Sequence, residues 1–279
     1  MSTWNEAPPP PSRPLGPMGV LRALLRGLVL GSVTYGGLCL LLLVRLIERP
    51  IHGLRRPWTP HITVAVCRAA FPILGIGYRV SGRPMRHIGA VVANHVSWLD
   101  IYALNACQKV YFVSKAEVAA WPGIGWLARA TGTVFIRRAR ADTKAQQQLF
   151  HDRIRAGHHL LFFPEGTSTD GLRVLPFKPT LFQPFHDHGL ERVMQIQPVS
   201  VIYHAPKGED PRFYGWWGDM AFGPHLLRVL AAPRQGAVEI VFHDPVRVQD
   251  FASRKALAAW CEARVRSAID ESLGTDRVS

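Results

Sequence analysis

Short apolar runs along the chain are separated by longer stretches in which apolar and polar positions mix. Runs typical of strands occupy residues 88–93, 110–113, 133–136, 159–163, 195–203 and 237–242. Helical patterns follow or separate them at 98–105, 115–130, 142–156 and 250–273. The run at 88–93, IGAVVA, has no polar side chain, which is typical of a strand in a sheet covered on both faces. Strands that alternate with helices predict an α/β fold, with a mostly parallel sheet flanked by helices.

A longer apolar run lies near the N-terminus. Residues 27–44 are 18 consecutive positions without a charge, close to the lower limit for a helix that spans a bilayer. No small-x-small cleavage site follows before Arg45, which disfavours a signal peptide. The buried helix of a soluble protein stays open as an alternative. Arginines follow the run at Arg45, Arg49, Arg55 and Arg56, so we predict a membrane anchor, with the rest of the chain on the cytoplasmic side of the inner membrane.

These patterns divide the chain into three parts. Residues 1–19 are Pro-rich and are expected to be a disordered tail. Residues 20–80 are expected to form a membrane-anchoring helical region, and residues 81–279 an α/β domain that carries the motifs described below. Within the anchoring region, a second apolar stretch at 58–77 is interrupted by Arg68 and Pro72. That stretch fits either a helix in the membrane interface or the first helix of the domain.

Charge and cysteine content narrow the classes of partner. The net charge of +13 predicts an anionic partner, such as nucleic acid, an anionic membrane surface or an acidic substrate. Nucleic acid is disfavoured because no aromatic interleaving or nucleic-acid motif accompanies the basic residues. The four cysteines are scattered without a CxxC pair, so neither a zinc site nor a structural disulfide is expected. The His158-His159 pair lacks the spacing of metal ligands, and no metal is expected there.

Candidate chemistry follows the first buried strand, in the segment NHVSWLD at 94–100. A histidine at the end of a strand is exposed on a rigid scaffold, and Asp100 is near enough in sequence to fold back on His95. A carboxylate on one imidazole nitrogen fixes the tautomer and leaves the other nitrogen free as a general base. A His and an Asp five residues apart also occur by chance, so the pair needs support from the rest of the chain.

Two further segments follow predicted strands. GTVFIRR at 132–138 ends in two arginines, whose guanidinium groups can bind phosphate or carboxylate. FPEGTSTDG at 163–171 follows an apolar run and supplies Glu165, Gly166 and Thr167. Its glycines permit a tight turn and the close approach of a ligand. Lys178 adds a cation soon after this loop.

Together these segments resemble the glycerolipid acyltransferase family, and most of all the bacterial 1-acylglycerol-3-phosphate acyltransferases. NHVSWLD is similar to the N-H-x4-D motif, Arg138 falls at the arginine of the second motif, FPEGT is similar to the third, and Pro198 to the fourth. The resemblance implies that His95 is the general base and Asp100 orients it. It implies that Arg138, Glu165, Gly166, Thr167 and Lys178 bind the acceptor's polar head. The acyl donor would be acyl-CoA or acyl-carrier protein, with no other cofactor, and the acceptor lysophosphatidate.

One residue departs from the family's pattern. Ser168 stands where the third motif often continues with arginine, which removes one possible ligand for the acceptor's phosphate. The run EGTSTDG resembles a subgroup that includes acyltransferases for lyso-ornithine lipid, whose head group is an amino acid. Acylation of that lipid, or of another lysophospholipid, is therefore the alternative. A thioesterase or hydrolase and a non-catalytic membrane-surface or nucleic-acid-binding protein remain as rivals from other classes.

Overall fold

The computed structural model describes residues 3–11, 14–136, 143–186 and 194–276. Within them, eight strands form one sheet in the order β1-β7-β6-β2-β5-β3-β4, with β8 against β6. The strands are β1 (Gly77–Ser81), β2 (Gly89–Ala93), β3 (Tyr111–Lys115), β4 (Val134–Ile136), β5 (Leu160–Phe162), β6 (Gln195–His204), β7 (Ala237–Phe242) and β8 (Val246–Arg247). The described pairings are parallel except those of β6 with β7 and β8. The expected mostly parallel α/β sheet is confirmed.

Helices cover both faces of this sheet. They are α1 (Pro17–His52), α2 (Thr59–Leu74), α3 (Leu99–Cys107), α4 (Ile124–Thr131), α5 (Thr143–Arg155), α6 (Gln183–His186), α7 (Phe222–Ala231) and α8 (Arg254–Asp276). Short 3₁₀ helices occupy Ala116–Ala120, Pro179–Phe182 and Val248–Asp250. One apolar core lies between the sheet and α1, α2, α3 and α7, and a second lies between the sheet and α5, α6 and α8.

The central strand β2 shows why its sequence reads as a continuous apolar run. Val91 and Ala93 belong to the first core, while Ala90 and Val92 belong to the second. Successive side chains of a strand point to opposite faces, and here both faces are covered by helices. The residues that follow β2 therefore emerge from a rigid, fully buried strand.

The long apolar helix α1 packs along the protein and also presents an apolar surface to the outside. Ala23 and Leu30 lie in the first core, and the guanidinium of Arg26 donates to the carbonyls of Leu230 and Ala232 at 3.0 and 2.7 Å. Leucines on its other side are exposed, among them Leu24, Leu28, Leu43 and Leu46. By length and hydropathy, α1 is the one helix of the described residues that could cross a membrane. The stretch at 58–77 contains α2, which packs in the first core.

The structure differs from the expected division of the chain at two places. β1 begins at Gly77 and pairs with β7, so the sheet includes the end of the region expected to be only an anchor. The tail expected to be disordered is in contact with the domain, because Trp4 is buried against Trp217 with ring centroids 5.9 Å apart. The Trp4 ring supplies a large apolar contact area, and Pro10 of the same segment is buried as well.

Candidate active site

His95 directly follows β2, and Asn94 fastens the end of that strand. The side chain of Asn94 donates to the carbonyl of Val201 in β6 and accepts from its N–H, both at 2.8 Å. Asn94 is buried, so these two bonds satisfy polar groups that would otherwise be costly to bury. The position of His95 is thus fixed from the neighbouring strand.

Asp100 and His95 are brought together as the sequence predicts. Asp100 lies in the first turn of α3, and residues 94–97 form the loop that reverses the chain. The Nδ1 of His95 lies 2.7 Å from Oδ2 of Asp100, and the aspartate side chain is fully buried while the imidazole is 23% exposed. With Nδ1–H donating to the carboxylate, Nε2 is the nitrogen left to accept a proton.

The Asp100 carboxylate is held by several other donors. The backbone N–H groups of Val96 and Ser97 donate to Oδ2 at 2.8 and 3.1 Å, and the Tyr203 hydroxyl donates to Oδ1 at 2.9 Å. Burial raises the pKa of Tyr203 well above its ordinary value, and the nearby Asp100 charge raises it further. Tyr203 therefore keeps its proton and remains a donor.

The loop after β5 supports His95 from the other side. Glu165 accepts the backbone N–H of His95 through Oε1 and that of Leu175 through Oε2, both at 2.7 Å. The Phe163 ring stacks on the imidazole, with centroids 4.1 Å apart. Thr169 donates its N–H to the carbonyl of His95 at 2.9 Å. The imidazole is thus held between two loops at the edge of the sheet where β2 and β5 end, which we call the carboxyl edge.

The resemblance implies that Glu165 binds the acceptor's head group, and the structure places its side chain elsewhere. Its side chain is buried, and both carboxylate oxygens already accept backbone N–H groups. Burial raises the pKa of Glu165 to about 8, against the opposing effect of those two donors. Glu165 is therefore placed to join two loops and not to face a ligand.

The other residues expected to bind the acceptor lie beside this loop or outside the described residues. Gly166 has a φ of 73°, a left-handed conformation that suits glycine. Oγ1 of Thr167 accepts the backbone N–H of Trp4 at 3.4 Å. The N–H of Lys178 donates to the carbonyl of Pro164 at 3.0 Å, so its backbone adjoins the loop. Arg138 lies outside the described residues.

Several aromatic side chains cluster around the segment that follows His95. The Trp98 ring meets Phe222 edge-on, with centroids 5.6 Å apart, and its Nε1 donates to Nδ1 of His225 at 3.0 Å. The Trp216 ring contacts the same Phe222 ring, and the backbone N–H of Trp216 donates to the carbonyl of Val96 at 2.9 Å. These rings form an apolar surface beside the loop that carries His95.

Three residues of the site were missed by the sequence pattern. Tyr203 is 103 positions from Asp100, and nothing distinguishes its hydroxyl in the sequence from the other polar groups of β6, QIQPVSVIYH. Arg173 lies near the loop after β5, where it pairs with Asp170 at 3.0 Å and sits over the Trp4 ring at 5.1 Å. Trp4 itself gave no signal because the surrounding prolines indicate disorder.

Comparison with known proteins agrees with this geometry. A family model described as Acyltransferase matches residues 79–202, which include His95, Asp100 and Glu165. A lyso-ornithine lipid O-acyltransferase of Rhodobacter capsulatus is 66% identical over 268 residues, which cover 96% of this chain and 97% of that protein. The chain belongs to the glycerolipid acyltransferase family.

Two other members of the family show how far the similarity extends. A 1-acyl-sn-glycerol-3-phosphate acyltransferase of Neisseria gonorrhoeae is 40% identical over 150 residues, 52% of this chain and 57% of that protein. The crystal structure of the 1-acyl-sn-glycerophosphate acyltransferase PlsC of Thermotoga maritima aligns with a TM-score of 0.64 at 23% identity. That alignment covers 91% of this chain and 95% of the other. The fold of this family, including its N-terminal helices, is therefore the fold found here.

Membership in the family establishes acyltransferase activity on lysolipids, and the site has the parts that such a reaction needs. The His95 imidazole is a side chain that could act as a base, and the buried Asp100 carboxylate, 2.7 Å from Nδ1, could stabilise an imidazolium. The surrounding hydrogen bonds hold the imidazole in one position, as a reaction with little reorganisation would require.

Proposed function

We propose that the protein is a lyso-ornithine lipid O-acyltransferase, which moves a fatty acyl group from a thioester to the hydroxyl of lyso-ornithine lipid. The observation that carries this proposal is the 66% identity to the Rhodobacter capsulatus enzyme of that name over nearly the whole of both chains. Similarity to the Neisseria gonorrhoeae lysophosphatidate enzyme extends over about half of this chain, at 52%. Lyso-ornithine lipid is thus favoured over lysophosphatidate, the acceptor that the motifs alone suggested first.

His95 would act as general base in this reaction. Its Nε2 takes the proton of the acceptor hydroxyl as that oxygen attacks the thioester carbonyl, and the thiol of acyl-CoA or acyl-carrier protein leaves. Asp100 holds the ring through Nδ1 at 2.7 Å and stabilises the imidazolium. The proton can then pass from Nε2 to the leaving thiolate, which restores the neutral base.

The acceptor's head group would lie at the loop after β5. An amino-acid head group carries both a carboxylate and an ammonium group, so it needs ligands of both signs, whereas a phosphate needs cations and N–H donors. Arg173, whose side chain is 47% exposed, would offer a cation to the carboxylate, while the fully buried Asp170 holds it at 3.0 Å. Ser168 stands where the family's third motif often has arginine, so one possible phosphate ligand is missing. Arg138, Gly166, Thr167 and Lys178 are proposed to complete the head-group site, with Glu165 holding the loop.

The exposed apolar side of α1 would hold the protein at the membrane. Leu24, Leu28 and Leu46 are each more than half exposed, which is costly in water but favourable in lipid. The opposite side of α1 packs on α2 and α7, so the catalytic domain would lie close against the bilayer that supplies its lipid substrate. Arginines after the apolar run favour the cytoplasmic side of the inner membrane.

The proposal is tested by acyl transfer in membranes that carry the protein, with labelled acyl-CoA or acyl-carrier protein. Lyso-ornithine lipid and lysophosphatidate are supplied separately, and a His95→Ala variant is run beside the unmutated protein. We expect product from lyso-ornithine lipid only, and a loss of about 10²–10⁴ in rate for the variant. Phosphatidate as the preferred product would overturn the acceptor, and unchanged turnover by His95→Ala would overturn the mechanism. Equal release of free fatty acid without an acceptor would identify a thioesterase instead.

A further inference from the structure

A large basic pocket lies at the opposite edge of the sheet from His95. Its volume is about 1240 Å³, and it is lined by Arg55, Arg56, Arg68, Arg83, Arg86 and Lys109, together with five histidines. His87 lines it just before β2 begins, whereas His95 follows the end of β2. The five residues of β2 alone span roughly 16 Å. The basic pocket is therefore separate from the catalytic site.

The basic pocket carries more positive charge than nearby carboxylates offset. Glu48 acts on Arg56 from outside the lining, and it already pairs with Arg45 at 3.0 Å. No Asp or Glu is among its lining residues, and none of the ion pairs between described residues involves its six Arg and Lys side chains. Two of these cations instead hydrogen-bond to carbonyls, Arg56 to Ala130 at 2.7 Å and Arg68 to Ala106 at 2.6 Å. Clustered cations without carboxylates repel one another, and a bound anion would relieve that repulsion.

Buried polar atoms at the base of this pocket also lack partners. His158 is 4% exposed, and both its ring nitrogens are without a hydrogen bond among the described residues. The same holds for both side-chain polar atoms of the buried Gln108 and for Nε of Arg56. Buried polar groups are rarely left unpaired in folded proteins, because each one costs free energy. Among these atoms, Nε of Arg56, Nε2 of Gln108 and one ring nitrogen of His158 are donors, which a ligand with acceptor oxygens could satisfy.

The place of the pocket indicates where that ligand comes from. Arg55 and Arg56 lie in the connection between α1 and α2, next to Leu54 and Trp58, which are 50% and 43% exposed. Arginine beside an exposed tryptophan is typical of the zone where lipid head groups meet the hydrocarbon. Guanidinium groups bind phosphate oxygens with good geometry. We propose that the basic pocket binds the phosphate of an anionic phospholipid from the surrounding membrane, separately from the substrate at His95.

The test measures binding of dihexanoyl phosphatidylglycerol, added below its own micelle concentration, to the full chain in maltoside micelles. The exposed pair Arg83→Gln/Arg86→Gln removes two charges from the pocket. The exposed pair Arg234→Gln/Lys255→Gln removes the same charge elsewhere. We expect saturable binding by the unmutated protein, at least tenfold weaker binding by the pocket variant, and no change in the control variant. Equal weakening in both would mean diffuse attraction to a cationic protein and would overturn the site.

A second variant examines the buried part of the pocket. His158→Phe keeps the stacking on Tyr111, whose ring centroid is 4.1 Å away, and removes the two unpartnered nitrogens. We expect a higher Tm without lipid and weaker binding of phosphatidylglycerol. Unchanged affinity would remove His158 from the site. Inorganic phosphate and coenzyme A serve as competitors. Tighter binding of either one, with the same loss in the Arg83/Arg86 variant, would overturn the lipid as the source of the phosphate.

The binding of phosphatidylglycerol is measured without acyl transfer. Its result therefore tests the basic pocket whichever lysolipid the enzyme acylates. Dihexanoyl phosphatidylcholine, which carries phosphate without net charge, completes the series. Binding as tight as that of phosphatidylglycerol would contradict the preference for an anionic head group.

Discussion

The Tyr203 hydroxyl, near the end of β6, donates to Oδ1 of Asp100 in the first turn of α3 at 2.9 Å. This bond joins the sheet to the helix that carries the carboxylate. Since Oδ2 receives the imidazole and two backbone N–H groups, both oxygens of a fully buried carboxylate are occupied. Asp100 can then turn neither away from the imidazole nor toward water, which makes Tyr203 a positioning residue for the base.

Tyr203→Phe is expected to lower kcat with little change in KM for the acceptor, because the hydroxyl contacts Asp100 and not substrate. Leaving a buried carboxylate oxygen without its donor should also cost about 1–3 kcal/mol of unfolding free energy. Tyr78→Phe is the matched control, since the Tyr78 hydroxyl donates to the carbonyl of Ala103 in the same helix at 2.8 Å and not to Asp100. Kinetics and urea unfolding are measured for both variants. An equal kcat loss in the control would mean that stability alone explains the effect.

Asp100→Asn separates the charge of the aspartate from its structural contacts. An amide oxygen in place of Oδ2 can still accept from His95, Val96 and Ser97. The amide nitrogen can donate to the Tyr203 hydroxyl, which accepts as well as donates. The fold should survive, but the imidazolium loses its counter-charge, so we expect kcat to fall by about 10²–10⁴. Initial rates and Tm are the measurements, and near-normal rates would show that the negative charge is dispensable.

Glu165 should give stability a pH dependence of definite sign. Burial raises its pKa in the folded protein from the ordinary 4.5 to about 8. Between these values the folded state keeps a proton that the unfolded chain has lost. The contribution of this group to the free energy of unfolding therefore falls as pH rises from about 4.5 to about 8.

Glu165→Gln removes the pH dependence that this group gives to stability, and it replaces one of the two hydrogen-bond-accepting oxygens by an NH₂ group. Urea unfolding at pH 5, 6, 7 and 8 should show the unmutated protein losing stability relative to the variant as pH rises. The variant should also lose kcat, because its NH₂ group cannot accept the second of the two N–H groups from His95 and Leu175. Glu209→Gln, at an exposed position, controls for charge. Parallel stability curves for the unmutated and Glu165→Gln proteins would contradict the raised pKa.

Trp4→Ala should loosen the N-terminal segment and the acceptor site together. Trp4 touches Thr167, Trp217 and Arg173. We expect faster proteolysis within residues 1–16 and a several-fold higher KM for the acceptor, with kcat less affected because His95 and Asp100 make no contact with Trp4. Trp126→Ala is the control, since it deletes the same side chain at a position that is 61% exposed. A higher KM in both variants would point to weaker membrane contact instead.

The contact between His95 and Asp100 could be predicted from sequence because its geometry is local. A strand end, a short loop and one helical turn bring residues 95 and 100 together whatever the rest of the chain does. Tyr203 and Trp4 could not be found in this way, because their contacts depend on which strands become neighbours and on how the tail folds back. Glu165 was found as a residue but given the wrong partner, since the pattern does not indicate whether a carboxylate at a strand end faces out or in.

The sheet was predicted where strands are buried and missed where they are not. β1, with the sequence GYRVS, lies at the edge of the sheet and is mostly exposed, so it lacks an apolar run. The helix α7 was missed because Gly223 and Pro224 in its first turn indicate a loop. The antiparallel direction of β7 against β6 depends on the path of that missed helix, and no residue pattern marks it.

The contact between Trp4 and Thr167 bears on how the enzyme is produced for biochemistry. An affinity tag or fluorescent reporter fused ahead of Met1 would emerge next to the carboxyl edge, where it would compete with the lipid acceptor for space. The helix α8 also reaches this edge, because Arg266 donates to the carbonyl of Val174 at 2.6 Å and Ser200 donates to the carbonyl of Val265 at 3.0 Å. A fusion at either end therefore needs a linker long enough to hold the added protein away from the carboxyl edge.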